Sequence, residues 1–161
     1  MLARWLEQQW YGWTPWHVLL LPLALLFGAL AALRRSLYRL GVLPVTKLPL
    51  PVLIVGNIGV GGTGKTPLVI ALAKLLREQG FRPGIISRGY GGKSRLPRAV
   101  SGESEPADVG DEPVLLAVKA GCPVWVGPDR VATAQALLAT HPEVDVLISD
   151  DGLQHYRLAR D

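Results

Sequence analysis

Eight consecutive residues carry the plainest chemistry: Gly59, Val60, Gly61, Gly62, Thr63, Gly64, Lys65 and Thr66 spell G-x-x-x-x-G-K-[ST]. Glycines at this spacing let successive backbone N–H groups turn inward on an anion. A helix starting at the lysine adds the positive end of its dipole. The Lys65 ammonium can then reach the β- and γ-phosphates of a nucleotide, and the Thr66 hydroxyl can ligate Mg²⁺. With this composition a chance match arises in roughly half a percent of sequences, so a ligand-free Gly-rich turn is the weaker reading.

Residues 146–152 read VLISDDG, an apolar run closed by Asp150 and Asp151. A parallel strand ending in carboxylates sets them beside a phosphate loop, where a Walker-B-type acid holds the metal or its water shell. Aspartate is also a common turn former at strand ends; the phosphate motif favours the metal role. A further acid pair, Asp111 and Glu112, sits between Gly110 and Pro113. It reads either as a helix N-cap with a dipole-matched glutamate, or as a base that takes a proton from an attacking hydroxyl, with Glu112 near the metal.

Two loops could touch a substrate. Residues 87–92, SRGYGG, place a phosphate-capable arginine, Arg88, and Tyr90 among flexible glycines after a strand, which suits substrate contact. Residues 127–130, GPDR, are explained for the most part by turn chemistry. His17, His141 and His155 have no metal-ligand spacing.

The elements that must position these groups follow from the apolar pattern. A continuous apolar run at 52–55 predicts a central parallel strand buried on both faces. A helix follows over 65–79, stopped by Gly80. Strands are expected at 84–87, 123–126 and 144–149, and helices over 111–120, ended by Gly121, and over 130–140. The polar, aperiodic stretch 95–110 predicts an irregular excursion. Alternation of this kind implies an α/β fold with a P-loop NTPase-type parallel sheet and flanking helices.

Ahead of that core the chain differs in kind. Residues 18–33 carry no charge and span roughly 24 Å as a helix, slightly short of the roughly 30 Å hydrocarbon layer. Trp5, Trp10, Trp13 and Trp16 precede the run, and Arg34, Arg35, Arg39 and Lys47 follow it. Three readings stand: a short transmembrane helix with an aromatic belt, a helix or hairpin in one leaflet bent at Pro22 and Gly28, or a cleaved signal peptide. The weakly basic, Trp-rich lead and the nucleotide motif downstream favour an anchor whose basic flank faces anionic lipid. Residues 1–45 are thus expected as a membrane-associating segment and 46–161 as the P-loop core, with a linker over 41–51. A net charge of +4 without a basic run speaks against nucleic acid as a partner. The single cysteine, Cys122, can form no internal disulfide and suits a reducing compartment.

Together, the hydrophobic N-terminus, VGNIGVGGTGKTP (55–67), SRGYGG (87–92), VGDEP (109–113) and DDGLQH (150–155) resemble the tetraacyldisaccharide 4'-kinase family of lipid A synthesis. The resemblance implies use of ATP and Mg²⁺ to phosphorylate the 4'-hydroxyl of a tetraacylated glucosamine disaccharide 1-phosphate at the cytoplasmic face of the bacterial inner membrane. It implies that Asp111 is the catalytic acid-base carboxylate, that Glu112, Asp150 and Asp151 surround Mg-ATP, and that Arg88 and Tyr90 lie near the lipid headgroup. It also implies a chain of about twice this length, whose C-terminal half would supply a histidine partner for the catalytic aspartate. The sequence is therefore expected to be a fragment of the enzyme.

Two other nucleotide-driven classes fit less well. A partitioning-type switch ATPase would carry an additional lysine where Val60 stands, and a regulatory GTPase would carry an Asn-Lys-x-Asp segment, absent from this sequence.

Overall fold

The computed structural model describes residues 15–56, 64–153 and 155–159. Its contacts divide the chain into two compact units, residues 1–43 and 44–161.

In the first unit the described structure is one helix, α1 (Pro15–Arg39). At 25 residues it is about 37 Å long, longer than the charge-free run, because Arg34, Arg35 and Arg39 extend its last turns. It continues through Pro22 and Gly28 without a break, so the hairpin reading is not what this segment forms. Leu and Val side chains are exposed all round its apolar part, from Val18 to Leu33. Residues 18–39 are long and apolar enough to cross a membrane. Near its end the Arg34 guanidinium stacks over the Tyr38 ring, 5.9 Å from the centroid, at the i, i+4 spacing that puts both on one face. Trp5, Trp10 and Trp13 lie outside the described residues.

The second unit is a five-stranded sheet with helices on both faces. In chain order it contains β1 (Val52–Val55), α2 (Lys65–Glu78), β2 (Pro83–Ser87), β3 (Arg98–Val100) and α3 (Pro106–Val109). It continues with α4 (Asp111–Lys119), β4 (Val124–Val126), α5 (Arg130–Thr140) and β5 (Val146–Asp150). The strand order is β1-β5-β2-β4-β3. All neighbours run parallel except β3, which pairs antiparallel with β4. The order matters because β1 and β2, joined through α2, leave a gap that β5 fills. Val55 consequently lies opposite Asp150, and the C-terminal ends of β1, β5, β2 and β4 share one edge.

Two apolar layers cover the sheet. Val69 and Ala73 of α2 and Leu116 of α4 pack with Ile85, Val124, Val126 and Ile148 on one face. Val131, Ala134 and Leu137 of α5 pack with Val52, Ile86 and Leu147 on the other. Full burial of each such large side chain contributes roughly 1.5–3 kcal/mol, so packing rather than helix propensity holds these helices. α2 ends in a Schellman turn: Gly80, at φ 87°, donates to Arg77 O, and Phe81 N donates to Leu76 O.

Three expectations need correction. β1 is an edge strand of the described sheet, with Leu53 and Ile54 half-buried, because an apolar run reports helices covering its faces and says nothing of how many strands flank it. The excursion at 95–110 contains β3 and the short helix α3, whose Pro106 supplies the fixed φ favoured in a first turn. The linker is partly built into the core: Thr46 bridges Leu158, with Thr46 N donating to Arg157 O at 2.7 Å, and Leu48 is buried.

Candidate functional site

The shared strand edge gathers most of the described candidates. α2 begins at Lys65, with Gly64 as its N-cap at φ 75° and Thr66 half-buried beside it. Gly59, Val60, Gly61, Gly62 and Thr63 lie outside the described residues. The Lys65 Nζ stands 3.0 Å from Asp151 Oδ1. That bond, helped by the charges of Asp151, Asp150 and Glu112, raises the lysine's pKa and keeps it cationic. Asp151 reaches Lys65 from a backbone at φ 54°, a left-handed conformation that aspartate tolerates better than most residues.

Asp150 sits one residue earlier, inside β5, and is buried. Ser87 Oγ, at the end of the adjacent β2, donates to Asp150 Oδ2 at 3.1 Å. Burial lifts this carboxyl above the ordinary aspartate range despite the Ser87 bond, and the nearby Glu112 charge adds to the rise. Glu112 therefore acts electrostatically on both Lys65 and Asp150.

The buried charge predicts a trade-off between stability and function. Asp150→Asn should raise Tm by roughly 2–4 °C at pH 7, since the amide oxygen can still accept from Ser87 while the desolvation penalty disappears. Between 3.8, its value in the unfolded chain, and its raised native value, the native carboxyl holds a proton that the unfolded chain releases. Wild-type stability therefore falls as pH rises through that window, and the advantage of the variant should vanish as pH drops below it. Paired thermal melts across pH test this; a lower Tm for the variant at pH 7 contradicts it.

Asp111 and Glu112 open α4, and both are exposed. The N-cap is Gly110, which makes no side-chain cap, so Asp111 is the first helical residue and the N-cap reading of it is corrected. Gly110 has φ 91°, and a side chain there would run into the Tyr90 carbonyl; one at Gly92 would strike the backbone of Asp108. This close approach clamps the 88–93 loop onto α3. Lys93 N donates to Ala107 O at 3.2 Å, and Ser94 N donates to Asp108 O at 3.1 Å. Arg88 and Tyr90 are exposed on that loop, Tyr90 at 86%.

Two residues of the candidate loops have roles that their spacing does not reveal. Ser87, expected at the end of a strand and the start of the SRGYGG loop, instead faces Asp150; a hydroxyl beside a strand-end aspartate is the signal that marks it. Arg130, read as part of a turn, is 2% exposed. Its Nη1 donates to Gly127 O at 2.9 Å and its Nη2 to Asp150 O at 3.1 Å. Desolvation pulls its pKa down to about 10, with Asp150 and Asp151 acting against the fall. The neighbouring Asp129 caps α5 by accepting from Val131 N and Ala132 N. Cys122 is half-buried ahead of β4, and burial pushes its thiol up to about 11, so it is unreactive at neutral pH.

Among the described residues no three His, Cys, Asp or Glu side chains form a metal cage. The donors present are hard oxygens: the Thr66 hydroxyl and the carboxylates of Asp150, Asp151 and Glu112. That set fits Mg²⁺, which takes one or two carboxylates and completes its shell with phosphate oxygens and water.

With a glycine-rich link leading from β1 to the lysine that heads α2, and with β5 presenting its acids next door, the second unit is a P-loop α/β protein. Residues 16–161 match the family model described as tetraacyldisaccharide-1-P 4'-kinase (LpxK). The chain belongs to that family. It is 61% identical over 150 residues to the tetraacyldisaccharide 4'-kinase of Herminiimonas arsenicoxydans, covering 93% of this chain and 42% of that protein. To the protein of the same name from Janthinobacterium sp. (strain Marseille) it is 58% identical over 160 residues, covering 99% and 46%. The fold is similar to the crystal structure of an "apo" form of LpxK from Aquifex aeolicus in complex with ATP, with a TM-score of 0.78 and 38% identity over 89% of this chain and 46% of that one. The chain thus spans about half the length of the curated relatives it matches.

Proposed function

We propose that this chain supplies the nucleotide-binding half of an ATP-dependent kinase acting on the 4'-hydroxyl of a tetraacylated glucosamine disaccharide 1-phosphate, in lipid A synthesis. One observation carries the reading: in a member of this family, the Lys65 ammonium at the head of α2 meets Asp151 at 3.0 Å, with Asp150 and Glu112 in electrostatic reach. Cation and acids thus share the strand edge where a triphosphate and its metal are handled.

In this reading the amides of residues 59–64 and the Lys65 ammonium hold the β- and γ-phosphates. Thr66, Asp150, Asp151 and Glu112 offer the oxygens that would hold Mg²⁺. When bound, that ion neutralises charge on the β- and γ-phosphate oxygens. Arg88 and Tyr90 orient the sugar headgroup. Asp111 takes the proton of the 4'-hydroxyl as that oxygen bonds to the γ-phosphorus and the bond from phosphorus to the ADP oxygen breaks. Lys65 stabilises the charge that develops on the phosphoryl oxygens. The exposed apolar surface of α1 and the Arg34, Arg35 and Arg39 cluster at its end favour residence at an anionic bilayer, with the basic end on the cytoplasmic face of the inner membrane.

The test is transfer of labelled γ-phosphate to the disaccharide 1-phosphate presented in anionic vesicles, by a polypeptide of the relatives' full length containing this chain. Label should appear on the lipid, and the protein should float with the vesicles. ATP hydrolysis with no labelled lipid would refute the kinase reading, and protein left in the unbound fraction would refute the anchor.

A further inference from the structure

Arg130 is costly where it stands. It is buried, it places a cation at the first residue of a helix, where the dipole disfavours it, and its Nε has no partner among the described residues. Its two terminal nitrogens nevertheless reach two separate strand ends: the Gly127 carbonyl just after β4 and the Asp150 carbonyl at the close of β5. In the strand order β5-β2-β4 these ends are not neighbours, so the guanidinium bridges across the end of β2.

There it lies close to the acidic pair. Ser87, which ends β2, fixes the Asp150 carboxylate, while Arg130 fixes the Asp150 carbonyl immediately before the left-handed turn at Asp151. Gly127 N also donates to Ser87 O at 3.1 Å, which ties the β4 turn to the same strand end. A planar fork with two parallel donors suits two carbonyls at a set separation, and neither lysine nor glutamine reproduces it.

We propose that Arg130 is a positioning residue for the metal-binding acids: it holds the backbone at 150–151 so that Asp150 and Asp151 face the metal together. The inference rests on the functional reading above, in which those acids hold Mg²⁺. It adds a role for a residue that need touch neither metal nor nucleotide.

The experiment uses a polypeptide of the relatives' full length containing this chain, in detergent micelles, and a fluorescent ATP analogue, titrated with Mg²⁺ at fixed nucleotide and also in its absence. For Arg130→Gln the Mg²⁺ concentration at half-maximal binding should rise about 10- to 100-fold, as for loss of other groups that orient metal ligands. Affinity without Mg²⁺ should stay within about twofold. Arg130→Lys keeps the charge and loses the fork, so its midpoint should fall between the two. Equal weakening with and without Mg²⁺ would mean a merely structural role and overturn the inference; so would a Mg²⁺ midpoint unchanged in a folded variant. Should circular dichroism show the Gln variant unfolded, the Lys variant decides by the same midpoint. A wild-type full-length polypeptide that binds no nucleotide, or binds it without Mg²⁺ dependence, sinks the functional reading and this inference with it. A Mg²⁺-dependent wild type with an unaltered variant sinks this inference alone.

Discussion

Asp111→Ala, in a polypeptide of the relatives' full length, should lower kcat by about 10²–10⁴-fold while leaving ATP affinity within about twofold. The expectation follows from its place. Asp111 is exposed at the first position of α4 and is not its N-cap, so removing its carboxylate leaves the helix start and the core beneath it intact. The adjacent Glu112, whose charge acts on Lys65 and Asp150, remains to serve the nucleotide side. Parallel measurement of turnover and of equilibrium binding separates the outcomes. Unaltered turnover would remove Asp111 from the chemistry, and a matching loss of binding would make it a structural or nucleotide-binding residue.

Lys65→Ala should act on both quantities. Nucleotide affinity should fall at least about tenfold and turnover at least about 10³-fold, because in the proposed function the ammonium meets charge in the bound triphosphate and more of it in the transition state. The same change releases Asp151 from its 3.0 Å partner. Both side chains are partly exposed, so loss of this ion pair should cost under about 1 kcal/mol of stability. A Tm within a few degrees of wild type, with binding lost, is the expected pattern in a thermal melt followed by a binding titration. Intact affinity would place the triphosphate elsewhere. A collapse of Tm would recast Lys65 as a structural residue.

How much of this could be read in advance varies with the kind of signal each element leaves. β1 and α5 fall at the expected residues because an apolar run bounded by turn formers, and an Asp cap before an apolar helix, are local signals. β5 was displaced by two residues at its start and extends through Asp150, since pairing with β1 and β2 carries the strand as far as its partners run. β3 left almost no trace. Three residues, Arg98-Ala99-Val100, with a single buried side chain, have no alternation to detect, and only pairing with β4 makes them a strand.

The candidate site divides in the same way. Lys65, Asp150 and Asp151 stood out through motif spacing, and the structure brings them together with Glu112. Arg130 could not stand out. An arginine after Pro-Asp resembles any solvated helix start, and its burial depends on strands that meet only in the fold. The conformation of Asp151 is likewise tertiary, imposed at a strand end where the chain must turn under β1, with Gly152 N donating to Val55 O.

The backbone clamp between residues 88–94 and α3 has a practical corollary for protein engineering. Since Gly92 and Gly110 pack without room for a methyl group and Lys93 and Ser94 are stitched to 107–108, neither segment is an independent module. A chimaera that borrows the Arg88–Tyr90 stretch from another family member must import residues 106–110 as well. Transplanted alone, the new stretch would pull on the start of α4 and shift the very carboxylates it was meant to leave untouched.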